Sequence, residues 1–170
     1  MSDQDRRPIF LVGFMGAGKT TVGKVLAARL NFAFVDLDDA IEERMGMSVQ
    51  SVFARLGEAE FRRAESDVLK DSRDMTGTVI ALGGGAYVAA KNRELLRDAG
   101  TTIWLDCPLQ VCLSRLGNDP SRPVLGSEPE MKALLDLRRT SYEMADHIVE
   151  VGRATPEEVA GEILKLIRGD

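Results

Sequence analysis

The chain has 170 residues, 44% of them hydrophobic and 29% charged, with a net charge of −5 at pH 7. This composition is typical of a globular protein with one hydrophobic core, so we expect a single domain over residues 1–170, with residues 1–8 as a flexible tail. The acidic balance argues against nucleic acid as the main partner, because phosphate backbones need a basic surface.

The sequence shows no membrane-spanning run and no secretion signal. No window approaches 18 apolar residues, and residues 2–8 are polar. The two cysteines, Cys107 and Cys112, stand five residues apart on a predicted helix, and His147 is the only histidine, so we expect no structural zinc site. Two reduced, buried thiols are typical of a cytoplasmic protein. The shortage of histidine leaves carboxylates and lysine as the candidates for acid–base chemistry.

Strands and helices alternate along the chain. Short, nearly continuous apolar runs predict buried strands at residues 9–13, 32–36, 78–82, 101–106 and 147–151. The first helix is predicted from Lys19 to about Leu30, and the last begins at a capping box formed by Thr155 and Glu158 around Pro156. This alternation indicates a doubly wound α/β fold with five parallel strands.

Residues 13–20 read GFMGAGKT and match the phosphate-binding motif G-x-x-x-x-G-K-[ST], between the first predicted strand and helix. Glycines let backbone N–H groups wrap the phosphates, Lys19 reaches the terminal phosphates, and Thr20 would hold Mg²⁺. Such a P-loop occurs in kinases, GTPase switches and motor ATPases. The chain lacks the guanine-reading N/T-K-x-D of GTPases, and its D-x-x-G at 74–77 precedes a strand and reads as a turn.

Acidic residues follow the second predicted strand. If the strand continues, Asp36 and Asp38 point to one face, into the crevice where open α/β sheets bind ligands. The alternative is that Asp38 or Asp39 caps the next helix. Three acidic residues in four positions are more than a cap needs, which favours a functional site.

Glu65 falls inside the apolar stripe of a predicted helix. A carboxylate at a core-facing position is costly unless it is paired, and Arg62 lies one turn before it. The pair either ties two elements together or orients Arg62 to receive an anionic substrate.

Two glycine-containing segments complete the predicted site. The triplet at 83–85 ends the third strand, where glycine allows a ligand to approach the backbone closely, although a flexible turn is the alternative. The segment 117–129 carries three prolines and two glycines between two predicted helices. A loop of this length predicts a lid over 117–127, with Arg122 placed to close over a phosphoryl group.

In combination these motifs resemble the shikimate kinase family over nearly the whole chain. The resemblance rests on the P-loop, D-x-D at 36–38, F-R-R-x-E at 61–65, the glycine triplet and R-P at 122–123. It implies a five-stranded parallel sheet with a mobile lid. It also implies transfer of the γ-phosphoryl group of ATP to the 3-hydroxyl of shikimate, with Mg²⁺, in aromatic amino acid biosynthesis.

The same resemblance implies roles for individual residues. The implied nucleotide site consists of Gly16, Ala17, Gly18, Lys19, Thr20, Thr21, Arg115 (stacked on adenine) and Arg122 (in the lid). The implied metal site consists of Thr20 and, through water, Asp36. The implied shikimate site consists of Asp38, Arg62, Gly84 or Gly85, and Arg138. Lys19, Asp38 and Arg122 are the implied catalytic residues, with Asp38 as the base.

The chain departs from the family pattern at three places, the mildest of which is R-P-V-L at 122–125 where the family has R-P-L-L. Ala81 stands where the family often has a hydroxyl residue that contributes to the metal shell. The usual R-x-P-[LI]-Y reads RRTSY at 138–142, so Arg139 remains a candidate beside Arg138 for the substrate carboxylate.

Two other functions stay open on the sequence. A P-loop kinase for a small polyol or sugar acid such as gluconate would keep the P-loop and the lid, but it would not need Asp38, Arg62 and Gly85 together. A regulatory protein that senses ATP would bind nucleotide without turnover. For the favoured kinase we expect ATP and shikimate as the partners, and a monomer.

Overall fold

The computed structural model describes residues 6–117 and 126–169. Five parallel strands form one sheet in the order β2-β3-β1-β4-β5. The strands are β1 (Ile9–Val12), β2 (Ala33–Asp36), β3 (Thr78–Ala81), β4 (Thr101–Asp106) and β5 (His147–Glu150). Every predicted strand is present with ends within one residue, which confirms the doubly wound α/β fold.

Helices flank the sheet in the described part of the chain. They are α1 (Lys19–Leu30), α2 (Leu37–Met45), α3 (Val49–Leu56), α4 (Glu58–Ser72), α5 (Ala90–Leu96), α6 (Leu109–Gly117), α7 (Glu128–Tyr142) and α8 (Pro156–Arg168), with a short 3-10 turn at Ala86–Val88. Helix α1 has the predicted bounds. The capping box at the start of α8 is also confirmed, because the Thr155 and Glu158 side chains each accept a hydrogen bond from the other's backbone N–H. None of the helices within 6–117 and 126–169 combines the length and the apolarity needed to span a membrane.

The core lies on the three central strands. All residues of β1 and β3 are buried, as are the four inner residues of β4, whereas the edge strands β2 and β5 are partly exposed. Because helices cover a parallel sheet, its central strands are apolar on both faces. This is why the sequence reads there as continuous apolar runs.

The parallel pairing brings the carboxyl ends of the strands to one edge. Asp36 pairs with Ala81, and Ala81 pairs with Leu11 two residues before the P-loop. Strand β3 therefore lies between the strand that precedes the acidic residues and the strand that precedes the P-loop. The glycine triplet at 83–85 consequently begins between them, at the topological position where such sheets bind ligands.

The expectation for the start of α2 is wrong in two respects. Strand β2 ends at Asp36, so Asp38 lies in the first helical turn and not on an extended strand beside it. The helix cap is Asp36, and neither Asp38 nor Asp39 has this role. The Asp36 backbone is still extended, and its Oδ1 atom accepts hydrogen bonds from the N–H groups of Asp38 at 3.0 Å and Asp39 at 3.5 Å.

The predicted helical position of Cys107 is also wrong. Helix α6 begins at Leu109 after Pro108, so Cys107 lies in the preceding loop and only Cys112 is helical. Proline suits the start of a helix, because it has no N–H group to donate. Both thiols are buried and form no disulfide, as expected.

Candidate active site

The P-loop connects β1 directly to the start of α1. Gly16 and Gly18 have φ angles of 79° and 94°, which favour glycine, and a methyl group at Gly16 would lie 2.7 Å from the Cys112 carbonyl oxygen. The Lys19 ammonium donates hydrogen bonds to the carbonyl oxygens of Gly13 at 2.7 Å and Phe14 at 2.9 Å. The lysine is thus held across the loop, beside the N-terminus of a helix, and this arrangement suits a polyphosphate.

Thr20 and Asp36 form an oxygen-rich pair at the base of the P-loop. The Thr20 hydroxyl donates to Asp36 Oδ2 at 2.8 Å, while the Oδ1 atom of the same carboxylate caps α2. The cap therefore fixes the orientation of the carboxylate. A hydroxyl and a carboxylate are donors that Mg²⁺ prefers, and Mg²⁺ commonly completes its octahedron with water and phosphate oxygens. The two predicted metal residues are in contact and fit this ion.

The predicted acceptor residues surround the glycine triplet. A methyl group at Gly83 would lie 3.0 Å from Asp38 Oδ1 and 3.5 Å from Glu65 Oε2. A methyl group at Gly85 would lie 2.6 Å from the Arg62 guanidinium. The absence of side chains on these glycines therefore leaves room for the carboxylates and the guanidinium at the crevice.

Arg62 and Glu65 form the predicted pair on α4. Arg62 Nη1 donates to both carboxylate oxygens of Glu65, at 2.8 and 3.1 Å. Glu65 is 1% exposed, whereas the Arg62 side chain is 32% exposed. Burial raises the pKa of Glu65, with a smaller contribution from Asp38, while Arg62 opposes the rise. The buried carboxylate thus orients the arginine and leaves part of the guanidinium open to the crevice.

Arg138 approaches the triplet from α7. A methyl group at Gly84 would lie 2.9 Å from Arg138 Nη1, and the guanidinium lies 5.9 Å from the centre of the Phe14 ring. Arg139 points elsewhere, since it pairs with Asp106 at 3.6 Å and lies over Trp104. Neighbouring residues on a helix are about 100° apart around its axis. The geometry therefore favours Arg138 over Arg139 at the acceptor crevice.

Arg115 lies on the nucleotide side of the P-loop. Its Nη1 atom donates to the Gly16 carbonyl oxygen at 3.3 Å. A cavity of about 280 Å³ opens beside it and is lined by Gly18, Thr21, Val22, Arg115, Val151, Ala154, Pro156 and Val159. A guanidinium and a proline ring on the wall of a largely apolar cavity provide surfaces for a flat heterocycle.

The structure adds residues that the sequence reasoning missed. Gly83 is the glycine beside Asp38, although only Gly84 and Gly85 were predicted to bind substrate. Pro156 was recognised as a helix start but not as part of the cavity beside Arg115. Gly83 belongs to the same glycine triplet, so the sequence could have indicated it as a site residue. Nothing in the sequence around Pro156 indicates that it lies near Arg115. Arg122 and most of the predicted lid at 117–127 lie outside the described residues.

The P-loop follows the first strand of a sheet with the order β2-β3-β1-β4-β5, and it faces a crevice lined by carboxylates and arginines. This arrangement is that of a P-loop kinase for a small anionic acceptor. The family model described as shikimate kinase matches residues 15–168. The chain belongs to the shikimate kinase family.

Individual relatives agree over nearly full length. The chain is 44% identical over 167 residues to the shikimate kinase of Geobacter sulfurreducens, covering 96% of this chain and 92% of that protein. A solved shikimate kinase from Acinetobacter baumannii, in complex with shikimate, is 37% identical with a TM-score of 0.91, covering 98% of this chain and 95% of that one. The shikimate kinase structure from Aquifex aeolicus is 38% identical with a TM-score of 0.85, covering 95% and 96%. These findings confirm the predicted family.

Proposed function

We propose that this chain transfers the γ-phosphoryl group of ATP to the 3-hydroxyl of shikimate, giving shikimate 3-phosphate and ADP for aromatic amino acid biosynthesis. The observation that carries the acceptor assignment is that Arg62 and Arg138 reach neighbouring glycines of one triplet, beside Asp38. Two guanidinium groups suit the single carboxylate of shikimate, because each offers paired donors in a plane. Family membership supports the same acceptor.

ATP and Mg²⁺ are the cofactors of this family. We propose that the phosphates lie in the P-loop and that adenine occupies the cavity between Arg115 and Pro156. Thr20 and Asp36 would hold Mg²⁺, Asp36 through water, and the ion would neutralise charge on the phosphates. Lys19 supplies a fixed positive charge near the transferred group.

We assign the base to Asp38. The Asp38 carboxyl group lies beside Gly83 in the crevice and has the buried side chain of Glu65 as its neighbour. As the acceptor oxygen attacks phosphorus and the bond to the ADP oxygen breaks, the hydroxyl proton passes to Asp38. Arg122, as a lid residue that covers the transferred group, remains a prediction from the sequence.

A coupled assay of ADP release tests the function. We expect turnover with shikimate and not with gluconate or buffer alone, because gluconate lacks the rigid ring that places carboxylate and hydroxyl at fixed positions. Lys19→Ala should abolish turnover while its circular dichroism spectrum stays native, since the lysine lies on the P-loop surface and not in the core. Equal turnover with gluconate would favour the polyol kinase, and ATP binding without any ADP release would favour a nucleotide sensor.

We further propose one domain over residues 1–170 that acts as a monomer in the cytoplasm, without nucleic acid partners. The Thr20–Asp36 and Arg62–Glu65 contacts form within a single chain, which supports a monomer. The two unpaired thiols fit a reducing compartment, and the net charge of −5 disfavours nucleic acid. Light scattering at assay concentration should give a mass near 18.6 kDa.

A further inference from the structure

Tyr142 is a large buried side chain whose polar end reaches the acceptor crevice. It is the last residue of α7 and is 0% exposed, with its ring packed 5.9 Å from the Trp104 ring. Its hydroxyl donates a hydrogen bond of 2.5 Å to the carbonyl oxygen of Gly84, 58 residues away in the chain. The hydroxyl of a buried tyrosine normally has a hydrogen-bond partner, and here the partner is the central residue of the glycine triplet.

The Arg138 guanidinium lies near the same hydroxyl. Arg138 precedes Tyr142 by one helical turn, so both side chains emerge from one face of α7. Burial raises the pKa of Tyr142 to about 12, and the positive charge of Arg138 opposes that rise. The hydroxyl therefore keeps its proton throughout the neutral range and remains a donor.

We propose that Tyr142 is a positioning residue for substrate binding, which locks the Gly84 carbonyl against α7 and thereby sets the distance between Arg138 and the glycine triplet. This inference rests on the proposed function, since it assumes that the anionic acceptor binds between Arg138 and Arg62. Tyr142 itself need not touch the substrate.

Other hydrogen bonds hold the 3-10 turn that follows the glycine triplet, and they differ from the Tyr142 bond in the helix from which they come. Asn92 Nδ2 donates to the Ala86 carbonyl oxygen at 2.8 Å, and Arg93 donates to the Tyr87 and Val88 carbonyl oxygens. These bonds come from α5 and hold the 3-10 turn. The Tyr142 bond comes from α7, the helix of Arg138, and holds the triplet itself. Its loss should leave the turn in place while the triplet moves relative to Arg138.

The test is Tyr142→Phe, which keeps the ring packing and removes only the hydroxyl. We expect the KM for shikimate to rise roughly threefold to tenfold, the factor that corresponds to one ordinary hydrogen bond. The KM for ATP should stay within twofold, because the P-loop contacts are unchanged. The rise should be the same from pH 6.5 to 8.5, since Tyr142 does not titrate there.

Tyr87→Phe is the matched control. Tyr87 is also buried, and its hydroxyl donates to a backbone carbonyl 57 residues away, that of Met144, at 3.2 Å. Its bond joins the 3-10 turn to the segment after α7 and does not involve the triplet. We expect both KM values of this variant to match the wild type, whereas a general loss of packing would affect the two variants alike.

A double-mutant cycle with Arg138→Lys tests the proposed route. If Tyr142 acts through the placement of Arg138, the two changes together should raise the KM for shikimate by clearly less than the product of the separate effects. An unchanged KM for shikimate in Tyr142→Phe, an equal rise for Tyr87→Phe, or independent effects in the cycle would each overturn the proposal. Wild-type turnover with shikimate is measured in the same series, so a failure of the proposed function is recognised separately.

Discussion

Each glycine of the triplet at 83–85 faces a different charged side chain. Gly83 faces Asp38, Gly84 faces Arg138 and Gly85 faces Arg62. Any side chain larger than hydrogen would occupy the space between the backbone and these groups. At the scale of single residues, the proposed acceptor site is therefore a set of charged groups around a backbone without side chains, and the proposed chemistry depends on a few polar atoms.

Asp38→Asn tests the base. The amide cannot accept the hydroxyl proton, so we expect kcat to fall by roughly 10²–10⁴-fold, the usual effect of losing a general base. Steady-state kinetics at saturating shikimate measure the change. Asp39→Asn is the control, because Asp39 is the exposed neighbour on the same helical turn. A loss below tenfold for Asp38→Asn would remove Asp38 from the role of base.

Arg62→Lys tests the carboxylate contact. Lysine keeps the charge but cannot offer two donors in one plane, so shikimate binding should weaken by roughly 1.5–3 kcal/mol, the range for hydrogen bonds to charged groups. The KM for ATP should not change. Arg63→Lys is the control, since Arg63 lies on the solvent side of the same helix and pairs with Glu60. A shikimate analogue without the carboxylate should be a poor substrate and should not distinguish wild type from Arg62→Lys.

At the scale of elements, α4 carries two arginine–glutamate pairs that are three residues apart and have opposite surroundings, and Arg62 also pairs with Glu58 at 3.7 Å. Arg62 and Glu65 lie toward the crevice with the carboxylate buried, whereas Arg63 and Glu60 pair at the surface with side chains 72% and 46% exposed. Exposed pairs of this kind contribute little to stability. The buried pair instead serves the placement of Arg62, at the cost of removing a carboxylate from water.

The buried carboxylate predicts a pH dependence of stability. The pKa of Glu65 is raised in the folded state, so the folded chain holds this proton more tightly than the unfolded chain. The stabilisation from this proton is full below about 4.5, the ordinary value, and is lost as the pH rises through the raised folded pKa. The glutamine of Glu65→Gln cannot titrate, so the stability of this variant should not show this decrease with rising pH.

Urea denaturation from pH 4 upward measures the difference. We expect the free energy of unfolding of the wild type to decline, relative to Glu65→Gln, as the pH rises from 4.5 through the raised folded pKa of Glu65. Glu60→Gln is the control on the same helix, and its difference from the wild type should vary much less because its pair is exposed. A constant difference between the wild type and Glu65→Gln would show that Arg62 fully compensates the burial.

At the scale of the whole molecule, the proposed nucleotide site and the proposed acceptor site are built from different elements. The proposed nucleotide site is formed by the P-loop, α1, α6 and the start of α8, whereas the proposed acceptor site is formed by α2, α4, α7 and the glycine triplet. The two sets meet at the carboxyl edge of the sheet, next to the P-loop. Each ligand should therefore stabilise the fold through its own group of elements.

Ligand-dependent stability tests this division. Shikimate at 100 times its Kd should raise the free energy of unfolding by about 2.7 kcal/mol, as required for a ligand that binds only the folded state. Lys19→Ala should keep most of this effect and lose most of the stabilisation by ATP with Mg²⁺. Thermal or urea denaturation with each ligand alone provides the measurement. Loss of the shikimate effect in Lys19→Ala would contradict the separation of the two sites.

The sequence by itself determined the features that depend on local order. The five apolar runs, the bounds of α1 and the capping box of α8 follow from periodicity and helix-end preferences over a few residues. The P-loop follows from a fixed spacing. The Arg62–Glu65 pair follows from the geometry of a single helical turn, so it needed no knowledge of distant elements.

Only the tertiary structure decided how these parts face one another. The choice of Arg138 over Arg139 depends on the rotation of α7 against the sheet, and the contact of Asp36 with Thr20 depends on where β2 ends. Pro156 joins the cavity of Arg115 only because α8 packs beside α1. The bond from Tyr142 to Gly84 spans 58 residues. Such contacts arise from the packing of whole elements, and no short stretch of sequence encodes the angle at which two elements pack.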